Sequence, residues 1–348
     1  MARPRCYHAT DMPSRPAQTA PEIVVLGDIN VDLIGLTRSW PRPGEECLAD
    51  HLELHCGGVG ANCALALRKW GVVPQLIASV GRDPLGDTVL ARLAAKSIEV
   101  RHIQRTEQAT TGLLYINVTP DGQRTFFGSR GANSLLRPQP PRSPLLKRVR
   151  VASLMGYSFL DPGPEKAAGQ ILRAVRRNRG WASLDVGMEP SQKIPRKILQ
   201  ILNRIDLLLV SNQEASALTG QRNARKAFRR LQRAGAREIV MKLGRRGCLL
   251  VECGKLRNVP GFKVPSVDST GAGDAFTAAL LQARLRWWPP TEAALVANAA
   301  GAVAASVVGA GDSALGVREI VKLMRSQSLA HEWEATRLRV LRRLSNLA

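Results

Sequence analysis

Asp268-Ser-Thr-Gly-Ala-Gly-Asp-Ala-Phe-Thr-Ala-Ala279 is the stretch from which the rest of the chain is best read. Residues 264–267 before it read as the end of a strand, and residues 275–285 after it as a helix rich in Ala and Leu. Between them, Gly271, Ala272 and Gly273 form a turn almost without side chains. Such a turn lets backbone N–H groups and a helix N-terminus point at one anion. Asp274 stands at the lip of that anion site. A carboxylate there repels a bound phosphate unless it has a proton to take, so the stretch points to phosphoryl transfer onto a hydroxyl. A helix-terminal acid that merely complements the dipole is the plainer alternative, and the flanking glycines count against it.

Upstream, Glu22-Ile-Val-Val-Leu-Gly27 is a short apolar run ending in Gly, a buried strand by pattern. It delivers Asp28, Asn30 and Asp32 just past its C-terminal end, where open α/β sheets bind ligands. Two carboxylates and an amide there suit a polyol; as an alternative, the same residues form turns. Cys56-Gly-Gly-Val-Gly-Ala-Asn62 opens a helix that Gly71 ends. Gly57 and Gly58 allow close backbone approach to a ligand, and Asn62 in the first turn faces it. This opening does not fit a dinucleotide fingerprint. Residues 111–118 and 123–128 alternate as strands around Thr-Pro-Asp-Gly, a hairpin by its turn chemistry. From residue 150, strands at 149–155, 181–185, 205–210 and 238–242 alternate with helical stretches, which argues for a parallel sheet with right-handed crossovers. A hairpin at 249–259 precedes the opening motif; helices at 275–286, 291–307 and 316–326 follow it, with a basic amphipathic helix over 330–345.

The 348 residues carry a net charge of +22, which by itself suggests nucleic acid. The arginines are scattered rather than gathered in a block with interleaved aromatics, so a nucleic-acid partner is not expected. Cys6, Cys47, Cys56, Cys63, Cys248 and Cys253 include no C-x-x-C pair and no metal-ligand spacing with His, which fits reduced thiols in a cytoplasmic protein. The longest apolar run, 293–308, is made of small residues and contains Asn298 and Ser306, so it reads as a core helix and no membrane partner is expected. Residues 1–21 are polar and proline-bearing, without a secretion-signal core, and read as a disordered basic tail.

Gly-Gly-x-Gly-x-Asn at 57–62 together with Asp-x-x-Gly-x-Gly-Asp at 268–274 resembles the two sequence motifs of the ribokinase family, the PfkB carbohydrate kinases. Gly27-Asp-Ile-Asn-Val-Asp32 and Lys242-Leu-Gly-Arg-Arg-Gly247 resemble further family segments, and the likeness covers residues 22–326. The resemblance implies an α/β fold, a three-layer αβα core with a mostly parallel central sheet, and a small β-sheet lid from about 36–56 and 111–130. Residues 327–348 then form a C-terminal basic helix or tail. It implies ATP-dependent phosphorylation of a sugar or sugar-derived hydroxyl, with Asp274 as base and the amides of Gly271, Ala272 and Gly273 as anion hole. Asn30, Asp32, Gly57, Gly58, Asn62 and Tyr157 are then the candidate sugar contacts. Lys242, Gly244 and Gly247 are candidates along ATP, with Asn298 near its base. Glu214 is the candidate Mg²⁺ contact through water, and Asp268, Gly309 and Ser313 the candidate site for a monovalent cation such as K⁺. Because lid edges often pair in relatives, a homodimer is a further expectation.

Two departures from the family pattern stand out. Ser211-Asn-Gln-Glu214 keeps the Glu of an Asn-x-x-Glu segment but replaces its Asn. Gly156-Tyr157-Ser158 lacks the Glu that ribokinase uses on its sugar, which is more like kinases of fructose or sugar acids. Arg124 and Arg130 are candidate partners of an acidic or phosphorylated sugar, or else exposed lid arginines. Two alternatives remain: a nucleoside kinase, for which Tyr115, Phe126 and Phe127 offer an aromatic stacking pair, and a catalytically silent sugar-binding regulatory protein.

Overall fold

Ile23-Val-Val-Leu26 has four buried residues in a row, the signature of a strand covered on both faces. The structure, a computed structural model, describes residues 23–120, 124–140, 143–265, 271–307 and 316–347. Its strands are β1 (Ile23–Leu26), β2 (Asn30–Leu36), β3 (His51–Gly57), β4 (Pro74–Gly81), β5 (Ile103–Thr106), β6 (Gly112–Val118), β7 (Arg124–Ser129), β8 (Val151–Met155), β9 (Trp181–Asp185), β10 (Leu207–Ser211), β11 (Glu238–Lys242), β12 (Cys248–Glu252) and β13 (Lys255–Val259). The helices are α1 (Val59–Lys69), α2 (Pro84–Ala95), α3 (Pro144–Arg148), α4 (Pro162–Arg177), α5 (Met188–Lys193), α6 (Pro195–Ile201), α7 (Asn212–Thr219), α8 (Ala224–Arg233), α9 (Ala272–Leu285), α10 (Pro290–Ala305), α11 (Val317–Ser326) and α12 (His331–Ser345).

Among the described residues, nine strands form one sheet in the order β13-β12-β11-β10-β9-β8-β1-β4-β5. It is parallel from β11 to β5, and the β12–β13 hairpin closes one edge antiparallel. The chain runs from β1 to β4 and β5 on one side, then returns to lay β8 on the other side of β1. That reversal is a topological switch point, where the C-terminal strand ends leave a crevice. One face of the sheet is covered by α1, α9, α10 and α12, through residues such as Leu67, Leu281, Val296 and Leu344. The other face is covered by α4, α6, α7 and α8, through residues such as Ile171, Ile198, Leu218 and Phe228. The result is the expected three-layer αβα core.

A second sheet, β3-β2-β6-β7, stands over the crevice as a lid. β2 and β6 run parallel in register from Asn30↔Gly112 to Leu36↔Val118. The lid starts earlier than the expected residue 36. Asn30 and Asp32 do not sit in a turn past β1; they belong to β2, whose polar residues alternate with Val31 and Leu33. Residues 37–50 carry no strand and are clipped to the lid by Trp40, which stacks on Phe127 at 5.4 Å and 9°. Val264 and Pro265 are not in a strand either, and the other two residues expected to end one, 266 and 267, lie outside the described residues. So do residues 1–21, Asp268, Gly309 and Ser313, so the expected tail and monovalent-cation site find no description here. Among the described residues, no helix is long and apolar enough to cross a membrane.

Candidate active site

The strands present their C-terminal ends to one crevice, and those ends carry its chemistry. Asp28 follows β1, Tyr157 follows β8, Asp185 ends β9, Ser211 ends β10 and Lys242 ends β11. Into this row α9 inserts its N-terminus. Gly271 caps it in the left-handed region (φ 69°), a conformation glycine adopts without strain. Ala275 N–H donates to Gly271 O at 2.8 Å, so the turn is closed and Asp274 sits in its first helical turn.

Two cavities meet at this turn. The larger, about 710 Å³, lies under the lid and is lined by Asn30, Asp32, Gly58, Asn62, Tyr157, Gly271 and Asp274, with Leu114, Ile116 and Phe126 as an apolar roof. The smaller, about 360 Å³, is lined by Glu214, Lys242, Gly244, Gly247, Ala272, Gly273, Phe276 and Asn298. The expected sugar and nucleotide residues thus sort into two separate chambers with the α9 turn as their common wall.

In the larger cavity Asn62 Nδ2 donates to Asp274 Oδ2 at 3.2 Å. Asn62 Oδ1 and Asp32 Oδ1 are buried with no hydrogen-bond partner among the described residues, which is costly unless another group, a ligand or water supplies one. Burial, reinforced by Asp185, pushes Asp274 up to about 7 against the pull of Lys242 and Asn62. Burial does the same to Asp32, also to about 7. Gly57 does not line the cavity; it packs beneath Asp32, and a Cβ there would overlap the carboxylate. Gly58 (φ 89°) opens α1, with a Cβ position only 2.5 Å from Asp28 O. Burial holds the Tyr157 hydroxyl up at about 12, so it is a neutral donor.

Arg130 lines the larger cavity with its charge already paired to carboxylates. Its guanidinium grips Asp28 through two bonds of 2.9 Å and also bonds Asp161. Arg124 stands at the start of β7. Tyr115, Phe126 and Phe127 do not form the expected stacking pair in the cavity: Phe126 lines it, but Phe127 stacks on Trp40, and Tyr115 bonds Asn117 at 3.2 Å.

In the smaller cavity, Lys242 Nζ lies 2.9 and 3.0 Å from the two oxygens of Asp185, and Thr277 Oγ1 donates to Asp185 Oδ2 at 2.6 Å. Burial alone would lower Lys242; Asp185 and Glu214 outweigh it and keep the ammonium charged. Glu214 forms a capping box with Ser211, accepting from Ser211 N at 2.7 Å while Ser211 Oγ accepts from Glu214 N at 3.1 Å. The departure at Ser211 therefore has a structural use, and Glu214 both caps α7 and faces the cavity. Asn298 Nδ2 donates to the carbonyls of Pro260 and Val259 at 2.9 and 3.2 Å, so its amide frames the cavity wall.

Asp185 and Thr277 are not among the expected site residues, and Arg130 is expected as a sugar partner rather than as the partner of Asp28 and Asp161. Asp185 had a signal: it ends an apolar strand as Asp28 follows one. Thr277 has none, since an internal helix Thr is ordinary locally; Asn133, in a short 3₁₀ turn (Gly131–Leu135), lies in the polar segment that follows the lid hairpin. Asn133 bonds both backbone groups of Ile29 at 2.9 Å, a contact across 104 residues.

Comparison with known proteins shows the family. Residues 20–315 match the model of the pfkB family carbohydrate kinases. The chain is 28% identical over 298 residues to a ribokinase of Haemophilus influenzae, covering 84% of this chain and 94% of that one. It is 30% identical over 286 residues to fructokinase-1 of Oryza sativa subsp. japonica, covering 78% and 88%. Among solved structures, Arabidopsis thaliana ribokinase complexed with ribose and ATP superposes with a TM-score of 0.76 at 26% identity, covering 88% of this chain and 99% of that one. The chain belongs to the pfkB family of carbohydrate kinases. It is a sugar kinase, an enzyme that transfers a phosphoryl group to a sugar.

Proposed function

We propose that the chain phosphorylates a hydroxyl of a sugar held under the lid, using ATP held in the smaller cavity. The observation that carries this is the shared wall: Gly271 and Asp274 face one chamber while Ala272 and Gly273 face the other. Asp274 takes the proton of the attacking hydroxyl, and its titration at about 7 suits a base that works near neutrality. The backbone amides of Gly271, Ala272 and Gly273 hold the charge that builds on the transferred group. Asn30, Asp32 and Asn62 bind sugar hydroxyls, supported by the two orphaned oxygens of Asp32 and Asn62. Gly58 lets the sugar approach the backbone, and Tyr157 donates to it. The lid keeps water from the phosphoryl group.

The smaller cavity fits a nucleotide. A Cβ at Gly244 would meet nothing within 4 Å, which leaves open room for phosphates, and Lys242 supplies a buried cation. Gly247 shapes the loop, and Asn298 holds the wall nearest the base. Glu214 is the one carboxylate lining this chamber among the described residues, which suits Mg²⁺ bound chiefly by phosphate and water. When bound, Mg²⁺ neutralises phosphate charge. Asp268, Gly309 and Ser313 are proposed to hold a monovalent cation, K⁺, on family resemblance. A homodimer through the lid is supported by the exposed Leu52, Leu54 and Phe127, and sedimentation would test it.

A nucleoside acceptor is disfavoured because, of the three aromatics offered for base stacking, only Phe126 lines the cavity, Phe127 being stacked on Trp40. The test is ADP release with ATP, Mg²⁺ and a panel of pentoses, hexoses, sugar acids and nucleosides. Turnover with neutral sugars is expected; release with none would leave a silent binding protein.

A further inference from the structure

The lid joins the core at four crossings: residues 27–29 before β2, Gly58 after β3, residues 107–111 before β6, and Arg130 after β7. Three of them are tied to one another by bonds outside the sheet, two through side chains and one through the main chain. Arg130, at the last crossing, reaches back to Asp28 at the first with paired bonds of 2.9 Å from Nε and Nη2. Its third nitrogen bonds Asp161, the residue that precedes α4 in the core. Asn133, just beyond, donates to Ile29 O and to Asn30 Oδ1 at 2.9 and 3.0 Å and accepts from Ile29 N. The third crossing joins through Thr110 O, which accepts Ala132 N–H at 2.8 Å. Asp28 is 7% exposed, so the pair is shielded from solvent and rigid in geometry.

The placement matters because the two halves of the proposed sugar site lie on opposite sides of these crossings. Asn30 and Asp32 ride on the lid, and Asp274 stands on the core. We infer that Arg130 is a positioning residue: it latches the lid to the core through Asp28 and Asp161 and so sets the distance between the sugar-holding groups and Asp274. The inference rests on the sugar-kinase assignment for its kinetic consequence, but the latch itself is a mechanical property. The charged groups facing it are Asp28, Asp161 and, from α5, Glu189, which is itself paired with Lys193 at 2.7 Å.

The test compares the intact enzyme with Arg130→Met, Arg130→Lys and Asp161→Asn. Arg130→Met is expected to raise KM for the sugar about tenfold while leaving KM for ATP nearly unchanged, as loss of one shielded ion pair implies. It should also raise the fraction of ADP released without sugar phosphate, because water enters past a loosened lid. Amide hydrogen exchange at residues 28–32 and 110–114 should quicken in step. Arg130→Lys should recover part of each effect, and Asp161→Asn should show a weaker version even if Arg130→Met folds poorly. A raised sugar KM with unchanged coupling and unchanged exchange would mean that Arg130 touches the sugar directly and overturns the latch. A lower Tm alone, with KM, coupling and exchange intact, would overturn it as well. If the unaltered enzyme phosphorylates no acceptor, the functional proposal fails, while the exchange comparison still decides the latch.

Discussion

Asp274 and Asp32 each hold their proton up to about pH 7, for the same reason: a carboxylate under a lid has lost its water. As base, Asp274 must be ionised, so kcat/KM should rise with pH and level off above about 7, falling about tenfold per unit below it. Replacing it, Asp274→Asn, should lower kcat by roughly 10²–10⁴-fold in a coupled ADP assay while ATP binding persists. The stability consequence has the opposite sense. Between about pH 4 and 7 the folded state holds protons that the unfolded state has released, so these two groups favour folding as pH falls and cost most above pH 7. Asp274→Asn should therefore raise Tm by roughly 2–4 °C at pH 8 and by little at pH 5, measured by scanning calorimetry. The site gives up stability to keep a usable base. Because Arg130 is consumed by Asp28 and Asp161, an acidic sugar finds no uncommitted cation among the described lining residues, and neutral sugars should outcompete sugar acids in the panel.

At the scale of elements, α9 was legible in the sequence because its glycine turn, first-turn acid and apolar body all fall within one short window. The parallel core strands were legible from continuous apolar runs, and α2 from Asp83, whose side chain accepts from Gly86 N at 2.7 Å. The lid was placed less well. β2 begins only three residues after Gly27, too close for the apolar pattern to mark a boundary, so Asn30 and Asp32 read as ligand groups just past the end of the first strand rather than as part of a second strand. Contacts such as Arg130–Asp28 join residues 102 apart, and no local pattern records them. Two glycines of the β11–β12 connection make a clean comparison. At Gly247 (φ 85°) a Cβ would overlap Val259 O, so Gly247→Ala should cost about 3 kcal/mol or more in urea unfolding. Gly244 (φ 61°) faces open space, so Gly244→Ala should cost only about 1 kcal/mol. Within α9, Gln282 is fully buried, and neither end of its amide has a partner among the described residues. Gln282→Met, of similar volume, should stabilise the fold by about 1 kcal/mol.

For the molecule as a whole, the basic C-terminal helix is part of the core. α12 buries Val340, Leu341 and Leu344, and Arg339 and Arg343 bond the 3%-exposed Glu292 of α10 at 2.7 and 2.8 Å. Deleting residues 330–348 should cost about 4 kcal/mol or more, from about 1.5 kcal/mol for each buried aliphatic side chain, and show as a large drop in Tm. Removing residues 1–21, which supply no proposed ligand, should leave turnover unchanged. The stack of Trp40 on Phe127 gives the lid an optical signature. Trp40 and Trp287 are 43% and 39% exposed, whereas Trp70 and Trp288 are buried in the core, so the two exposed indoles emit from a wetter environment and only Trp40 of them belongs to the lid. Sugar binding that reseats the lid should shift the emission maximum of that indole, and Trp40→Phe should abolish the shift while leaving the spectrum of the core tryptophans in place. The lid thus carries its own reporter, with which a stopped-flow fluorimeter would separate sugar binding in time from the chemical step.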